Sequence, residues 1–339
     1  MVSSDAEQRV TRGRWRLAIF VVAALLGPAF VCHLIPARRE FDLKPITRLT
    51  HKQPDVVMIG DSVLGGAIDP VLFARETGLR DVELLWNGGA ASAAWYLLLK
   101  NYVVASGIHP RLVCIFFRER MLTDATFRTT PTYRHFLESI SREKEPVYRA
   151  IVQGDTEEQS VLGRVVDWLY PLNNRRHVQA EKISRLAFRV AAGSSRIGPL
   201  RRRVNETFDV ARLRDEIMNE SAEISGETPE EFDPDPKRNF LPHIVAAAKE
   251  SGIPLCFVRE KRYPLPDGTT PQTEDIQRYT ADLRRWVENQ GCLFFDLTSN
   301  PKPDQTMYTK PGDDHIRKAA KAEATKIYAE ALRPLLPKQ

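Results

Sequence analysis

Five short apolar runs alternate with longer amphipathic stretches along the chain. The runs occupy residues 56–60, 82–86, 112–117, 254–258 and 292–296. The first run carries no charge and is bounded by polar and glycine residues, which is typical of a parallel strand buried on both faces. Strands that alternate with helices in this way predict a doubly wound parallel sheet, and therefore an α/β fold.

The stretches between the runs have helical signals. Asp69-Pro70 combines a capping residue with a proline at the first turn, so a short helix is predicted to begin there. Longer helices are predicted after the later runs. They cover residues 90–106, 240–251, 273–289 and 316–332.

The pattern changes between residues 126 and 236. Apolar residues there thin to a helical period and basic residues cluster, which predicts a mostly helical insertion over 126–236. The α/β domain is then made of 55–125 and 237–335. The basic, amphipathic stretch 182–203 is either a solvated helix face or a contact surface for anionic lipid or polymer.

The N-terminal region contains the longest apolar stretch, residues 17–35, which only His33 interrupts. At a rise of about 1.5 Å per residue, a helix of this length just crosses a hydrocarbon core of about 30 Å. Four arginines precede it, which favours a cytoplasmic tail at 1–16 and a transmembrane anchor at 17–35. Residues 36–54 would be a charged linker, and the rest of the chain would lie outside the cytoplasm.

Two alternatives to an anchor remain open. A cleaved signal peptide would need a small-x-small site at the end of the run, and the sequence offers none there. The other alternative is a cytoplasmic soluble protein in which this stretch is a core helix.

Composition narrows the partners only slightly. A net charge of +5 over 339 residues and a pI near 9 permit an anionic surface or substrate and do not point to nucleic acid. The four cysteines fall inside apolar segments and match no zinc-binding spacing, so they are interpreted as small buried hydrophobic residues.

The candidate chemistry begins at the end of the first strand, in Gly60-Asp61-Ser62. Open α/β sheets bind their ligands at the carboxyl ends of the strands, where Ser62 would lie. Ser62 is therefore either a nucleophile or a helix-capping residue. About 250 residues later, Asp313-Asp314-His315 precedes the last predicted helix, where aspartates also favour a helix start without any catalytic role.

Three motifs together resemble the SGNH/GDSL hydrolase superfamily: Gly60-Asp61-Ser62, Asn87-Gly88-Gly89 and Asp313-Asp314-His315. The resemblance covers roughly 50–125 and 240–335. It implies a flavodoxin-like three-layer fold and serine-based hydrolysis or transfer of acyl esters. The N-terminal anchor and the Asp-x-His ending are most similar to the branch that modifies bacterial envelope polysaccharides.

The resemblance implies a role for each matching residue. Ser62 would be the nucleophile and His315 its base, because a hydroxyl needs a base that titrates near neutrality. A carboxylate must orient the imidazole. The superfamily usually places it three residues before the histidine, where this chain has Gly312, so Asp313 is favoured and Asp314 is the alternative.

The oxyanion site departs from the family pattern. The Ser62 and Gly88 (or Gly89) N–H groups match two of its donors. The third, an asparagine in a Gly-x-Asn-Asp motif, is absent, and Phe117-Arg118-Glu119-Arg120 stands in its place. Arg118 is either a cationic donor to the oxyanion or a partner of Glu119 or of a phosphate-like group.

These features predict a membrane-anchored, extracytoplasmic serine esterase or O-acyltransferase. Its substrate would be an acylated surface polysaccharide or another envelope ester, with a membrane acyltransferase as a candidate partner and no metal or organic cofactor. The alternative is a non-catalytic component of an envelope-modification complex that keeps the fold.

Overall fold

A computed structural model describes residues 41–129, 131–142, 144–152 and 231–336. The predicted anchor at 17–35 and most of the predicted insertion lie outside these residues. Within the described ranges, no helix combines the length and the apolar character that a membrane crossing requires.

The described residues contain a five-stranded parallel sheet, as the sequence predicted. Its strands are β1 (Val56–Gly60), β2 (Val82–Trp86), β3 (Leu112–Phe117), β4 (Leu255–Arg259) and β5 (Leu293–Asp296). They are arranged in the order β2-β1-β3-β4-β5. The chain moves from β1 to one side and then returns to pair β3 on the other side. The carboxyl ends of β1 and β3 therefore border the point where ligands bind in doubly wound sheets.

Helices connect the strands. In the described ranges they are α1 (Lys44–Lys52), α2 (Ser62–Ala67), α3 (Pro70–Thr77), α4 (Ser92–Leu98), α5 (Pro131–Ile140), α6 (Pro146–Val152), α7 (Leu241–Glu250), α8 (Glu274–Asn289) and α9 (Lys321–Leu332).

Side chains of each central strand alternate between two apolar layers. In β1, Val57 and Ile59 belong to the layer that also contains residues of α4, α7 and α8. Val56 and Met58 belong to the layer that also contains residues of α2, α3 and α9. Both faces of the sheet are thus covered, which is why the first strand has an uninterrupted apolar sequence.

Two segments before the site differ from the sequence predictions. The expected linker at 36–54 contains α1, and its Leu49 is fully buried in the core. The expected helix at 90–106 begins as α4 but continues as a π-helical turn, Leu99–Val103, and a 3₁₀ turn, Val104–Ser106.

The last helix also begins later than residue 316. A 3₁₀ turn at Lys318–Ala320 precedes α9, and Ile316 forms an isolated β-bridge with Tyr308. Two backbone hydrogen bonds, Thr309 N–H to the His315 carbonyl (3.0 Å) and Arg317 N–H to the Met307 carbonyl (2.8 Å), hold this segment extended. The segment around His315 is therefore a backbone-braced loop instead of a helix end.

Candidate active site

Ser62 lies in a tight strand-to-helix connection at the end of β1. Asp61 is the N-cap of α2, and its Oδ1 accepts a hydrogen bond of 2.8 Å from the Val63 N–H. Gly60 has no room for a side chain, since an added Cβ would lie 2.7 Å from Leu64 Cδ2. Ser62 is the first residue of α2, so its N–H has no acceptor within the helix.

Ser62, His315 and Asp313 form a chain of hydrogen bonds. Ser62 Oγ lies 2.8 Å from His315 Nε2, and His315 Nδ1 lies 2.6 Å from Asp313 Oδ1. An ionised carboxylate only accepts, so Nδ1 carries the proton and Nε2 accepts from the serine hydroxyl. This tautomer is the one that a histidine needs in order to remove the serine proton.

Asp313 is fixed from three directions. Besides the ring Nδ1–H, its Oδ1 accepts the His315 backbone N–H at 3.0 Å, and its Oδ2 accepts the Thr309 hydroxyl at 2.5 Å. Partial burial favours the protonated acid, but the hydrogen bonds from Thr309 and His315 outweigh it and lower the pKa of Asp313. The Asp313 carboxylate is therefore ionised at neutral pH.

Asp314, the alternative acid, has different partners. Its Oδ1 accepts the Tyr263 N–H at 3.0 Å and its Oδ2 accepts from Arg118 Nη1 at 2.5 Å. Neighbouring side chains of this loop thus point to different partners. Asp313 contacts the imidazole, and Asp314 contacts the segments that follow β3 and β4.

Gly88 lies in the turn that follows β2, the strand that pairs with β1. Gly60 pairs with Trp86 across β1 and β2, so Ser62 and Gly88 each lie two residues beyond paired strand ends. Gly88 is exposed and has nothing within 4 Å of an added Cβ, whereas Gly89 has φ +82° and would place a Cβ 2.2 Å from Tyr133. The left-handed backbone at Gly89 shapes the turn that presents Gly88.

Arg118, the candidate third oxyanion donor, is bound by two carboxylates. Its Nη2 donates to Asp61 Oδ2 at 2.6 Å and its Nη1 to Asp314 Oδ2 at 2.5 Å. Glu119, which the sequence offered as a partner, pairs with Arg262 instead, at 2.7 Å. Burial opposes the charge of Arg118, but Asp61, Glu260 and Asp314 together raise its pKa, so it remains a cation. Each terminal nitrogen of the guanidinium thus donates to a carboxylate, whereas the buried Nε has no hydrogen-bond partner.

Glu260 is a second feature that sequence reasoning missed. It follows β4 directly, is 2% exposed, and neither side-chain oxygen has a hydrogen-bond partner. Burial, reinforced by the charges of Asp61 and Asp314 and opposed by Arg118, raises the pKa of Glu260 well above its ordinary value. The signal was a charged run, Arg259-Glu260-Lys261-Arg262, at the carboxyl end of a buried strand.

No group of three or more histidine, cysteine, aspartate or glutamate side chains within the described ranges is arranged to hold a metal ion. The chemistry that these residues supply is a hydroxyl, an imidazole and a carboxylate in series.

No protein-family model and no curated protein matches the chain. Solved structures with a similar fold include the acetyl xylan esterase AlAXEase, with 12% identity and a TM-score of 0.38 over 81% of this chain and 98% of that one. A lipase/acylhydrolase from Enterococcus faecalis has 13% identity and a TM-score of 0.35 over 84% and 98%. A GDSL-like lipase from Bacteroides thetaiotaomicron has 12% identity and a TM-score of 0.35 over 85% and 98%. The likeness is low in sequence and in superposition, and the candidate site rests on its own geometry.

Proposed function

We propose that the protein is a serine ester hydrolase or O-acyltransferase whose triad is Ser62, His315 and Asp313. The observation that carries the proposal is the unbroken hydrogen-bond chain from the Ser62 hydroxyl through the imidazole to the Asp313 carboxylate. A hydroxyl becomes an effective nucleophile when a base positioned in this way takes its proton.

The reaction follows from that arrangement. Ser62 Oγ attacks the carbonyl carbon of an acyl ester while His315 Nε2 takes the serine proton. The Ser62 N–H and the Gly88 N–H are the proposed donors to the oxyanion that forms. The tetrahedral intermediate then collapses, the bond from the carbonyl carbon to the alkoxide oxygen breaks, and His315 gives its proton to that oxygen. The acyl group remains bound to Ser62 Oγ. Attack by water completes a hydrolysis, and attack by a sugar hydroxyl completes a transfer.

The proposed substrate is an acylated envelope polysaccharide or a related envelope ester outside the cytoplasm. The support is the sequence of the N-terminal region, with its apolar stretch at 17–35 behind four arginines, together with the resemblance of the motifs. A membrane acyltransferase that supplies the acyl group would be a natural partner for a single-pass protein of this kind.

Turnover of p-nitrophenyl acetate and of an O-acetylated glycan by the full-length chain in detergent tests this proposal. Ser62→Ala and His315→Ala are expected to reduce kcat by roughly 10⁴-fold or more. Ser299→Ala, which changes an exposed serine outside the triad, is the matched control. A well-folded wild type that releases no acyl group from either ester would contradict the proposal.

One observation favours a second candidate, a non-catalytic binding component of an envelope-modification complex. Arg118 donates to two carboxylates, and on this proposal it does not replace the third oxyanion donor that the resemblance leads one to expect. Losing one such donor typically reduces kcat by about 100- to 1,000-fold. If the wild type binds an acylated glycan and Ser62→Ala binds it equally well without any turnover by either, the second candidate is correct.

A further inference from the structure

We infer that Arg118 is a positioning residue that holds the Ser62 and His315 loops together by bridging Asp61 and Asp314, the residues that directly precede them. This inference rests on the proposed function, because it concerns how that triad is assembled. It gives Arg118 a role in alignment in place of contact with the reacting atoms.

The guanidinium spans two loops that are distant in sequence. Asp61 lies 57 residues before Arg118, and Asp314 lies 196 residues after it. Arg118 follows the last residue of β3, the strand that pairs with β1, so it emerges beside the Ser62 connection. The loop of His315 has no strand of its own in the sheet, so the sheet alone does not fix its distance from Ser62.

Each carboxylate divides its two oxygens between its surroundings and Arg118. Asp61 accepts the Val63 N–H on Oδ1 and Arg118 Nη2 on Oδ2. Asp314 accepts the Tyr263 N–H on Oδ1 and Arg118 Nη1 on Oδ2. A shift of the guanidinium is thereby transmitted to the backbone on both sides, next to the nucleophile and next to the base.

The bridge is shielded from water. The side chains of Asp61, Arg118 and Asp314 are 2%, 14% and 11% exposed. Charge-assisted hydrogen bonds between an arginine fork and carboxylates are short, directional and stronger than neutral ones. The planar fork can meet two carboxylates at once, which the single ammonium of a lysine cannot reproduce in the same geometry.

The other cations nearby each contact one side only. Arg128 Nη1 lies 3.4 Å from Asp61 Oδ2, and Arg262 Nε lies 3.4 Å from Asp314 Oδ2. Glu260, the remaining buried carboxyl group beside the bridge, has no hydrogen-bond partner. Among the ion pairs of the described ranges, the Arg118 pairs are the ones that connect Asp61 to Asp314.

The test compares Arg118→Met, Arg118→Lys and Arg262→Met in the full-length chain. Arg118→Met is expected to lower kcat for p-nitrophenyl acetate by roughly 100-fold with KM changed less than about threefold, since a misplacement near 1 Å has effects of this size. Arg118→Lys should recover less than a tenth of the lost kcat. Arg262→Met removes a cation that contacts Asp314 and Glu119 but not Asp61, and it should change kcat less than about threefold.

A charge-neutral variant separates alignment from folding. Arg118→Met leaves the two carboxylates with only the longer contacts to Arg128 and Arg262, which can prevent folding. Asp61→Asn combined with Arg118→Met and Asp314→Asn removes all three charges. The crystal structure of the folded triple variant is expected to show Ser62 Oγ and His315 Nε2 farther apart than 3.5 Å. Retention of their hydrogen bond together with wild-type kcat, or full rescue by Arg118→Lys, would overturn the inference. If the wild type has no turnover, the proposed function fails, and the distance in the triple variant alone decides the role of Arg118.

Discussion

The connections that follow β1 and β3 are neighbours at the same edge of the sheet, and each turns a charged side chain inward, but only the first also presents a hydroxyl. Both strands are completely buried. After β1, Asp61 turns inward and is 1% exposed, while the next residue, Ser62, presents its hydroxyl to His315. After β3, Arg118 turns inward, and its two terminal nitrogens donate to the carboxylates of Asp61 and Asp314.

The difference shows that the buried charged side chains pair with one another and are separate from the proposed nucleophile. The inward groups neutralise one another because buried charges without partners are costly. The hydroxyl of Ser62, the proposed nucleophile, is partly exposed and lies next to the imidazole of His315. The same division recurs in the last loop, where Asp313 accepts a hydrogen bond from the imidazole and Asp314 accepts one from Arg118.

Asp313→Asn is expected to lower kcat for p-nitrophenyl acetate by roughly 10⁴-fold, because an amide no longer enforces the required imidazole tautomer. Asp314→Asn, the adjacent control, touches the alignment of the loop only and should cost about 100-fold or less. Steady-state kinetics on both variants measure the ratio. A larger loss in Asp314→Asn than in Asp313→Asn would reverse the assignment of the two carboxylates.

Gly89→Ala is expected to destabilise the fold by about 1–3 kcal/mol, since the residue has a left-handed φ of +82° and its Cβ would meet the Tyr133 ring. Gly88→Ala is the matched control, because nothing lies within 4 Å of its added Cβ. Urea unfolding provides both free energies. Equal stability of the two variants would show that Gly89 does not constrain this turn.

Glu260→Gln tests whether the buried Glu260 carboxyl group has the raised pKa described above. A raised pKa in the folded state means that the folded protein keeps a proton that the unfolded chain loses as pH rises through its ordinary value of 4.5. The stability of the wild type therefore falls as pH rises from that value through the raised pKa, and the glutamine variant should lack this fall.

Thermal unfolding of wild type and Glu260→Gln between pH 4 and 8 measures that difference. Glu288→Gln, at an exposed position of α8, is the control and should follow the wild-type pH dependence. Parallel pH curves for wild type and Glu260→Gln would mean that Glu260 is ionised in the folded protein.

Thr309→Val should have the smallest effect. The Thr309 hydroxyl helps to lower the pKa of Asp313, so it stabilises the ionised carboxylate in the folded protein. This contribution to stability is present above the ordinary pKa of 3.8 and is lost as pH falls through the lowered pKa. The variant should be about 1 kcal/mol less stable at pH 7, and the gap should close in acid.

Unfolding free energies at pH 7 and pH 3 test this, and Thr309→Ser, which keeps the hydroxyl, should behave as the wild type does. A gap between wild type and Thr309→Val that persists unchanged in acid would indicate lost packing instead of a lost hydrogen bond to a carboxylate.

The strands were predictable from the sequence because burial on both faces leaves an apolar run, as in 56–60 and 112–117. The sequence also marked Ser62, His315 and the two carboxylates as candidates, since each lies in a short polar segment at the edge of an element. The start of the last helix was not, because long-range backbone bonds to Met307 and Thr309 hold residues 315–317 extended.

The inward charge network was beyond sequence reasoning for a similar reason. The partners of Arg118 are 57 and 196 residues away, and no local pattern states which carboxylates a guanidinium will meet. The sequence marked Arg118 as a polar residue at a strand end and could not decide whether it faces a ligand or the interior. Glu260 was overlooked because a charged residue after a strand is usually solvated.

Reaction with a fluorophosphonate tests whether His315 activates Ser62. The full-length wild type is expected to be labelled at Ser62, as peptide mass spectrometry would locate it. Ser62→Ala should take no label, and His315→Ala should be labelled at least about 100-fold more slowly. A folded wild type that takes no label, or one labelled at Ser62 equally fast without His315, would contradict the account.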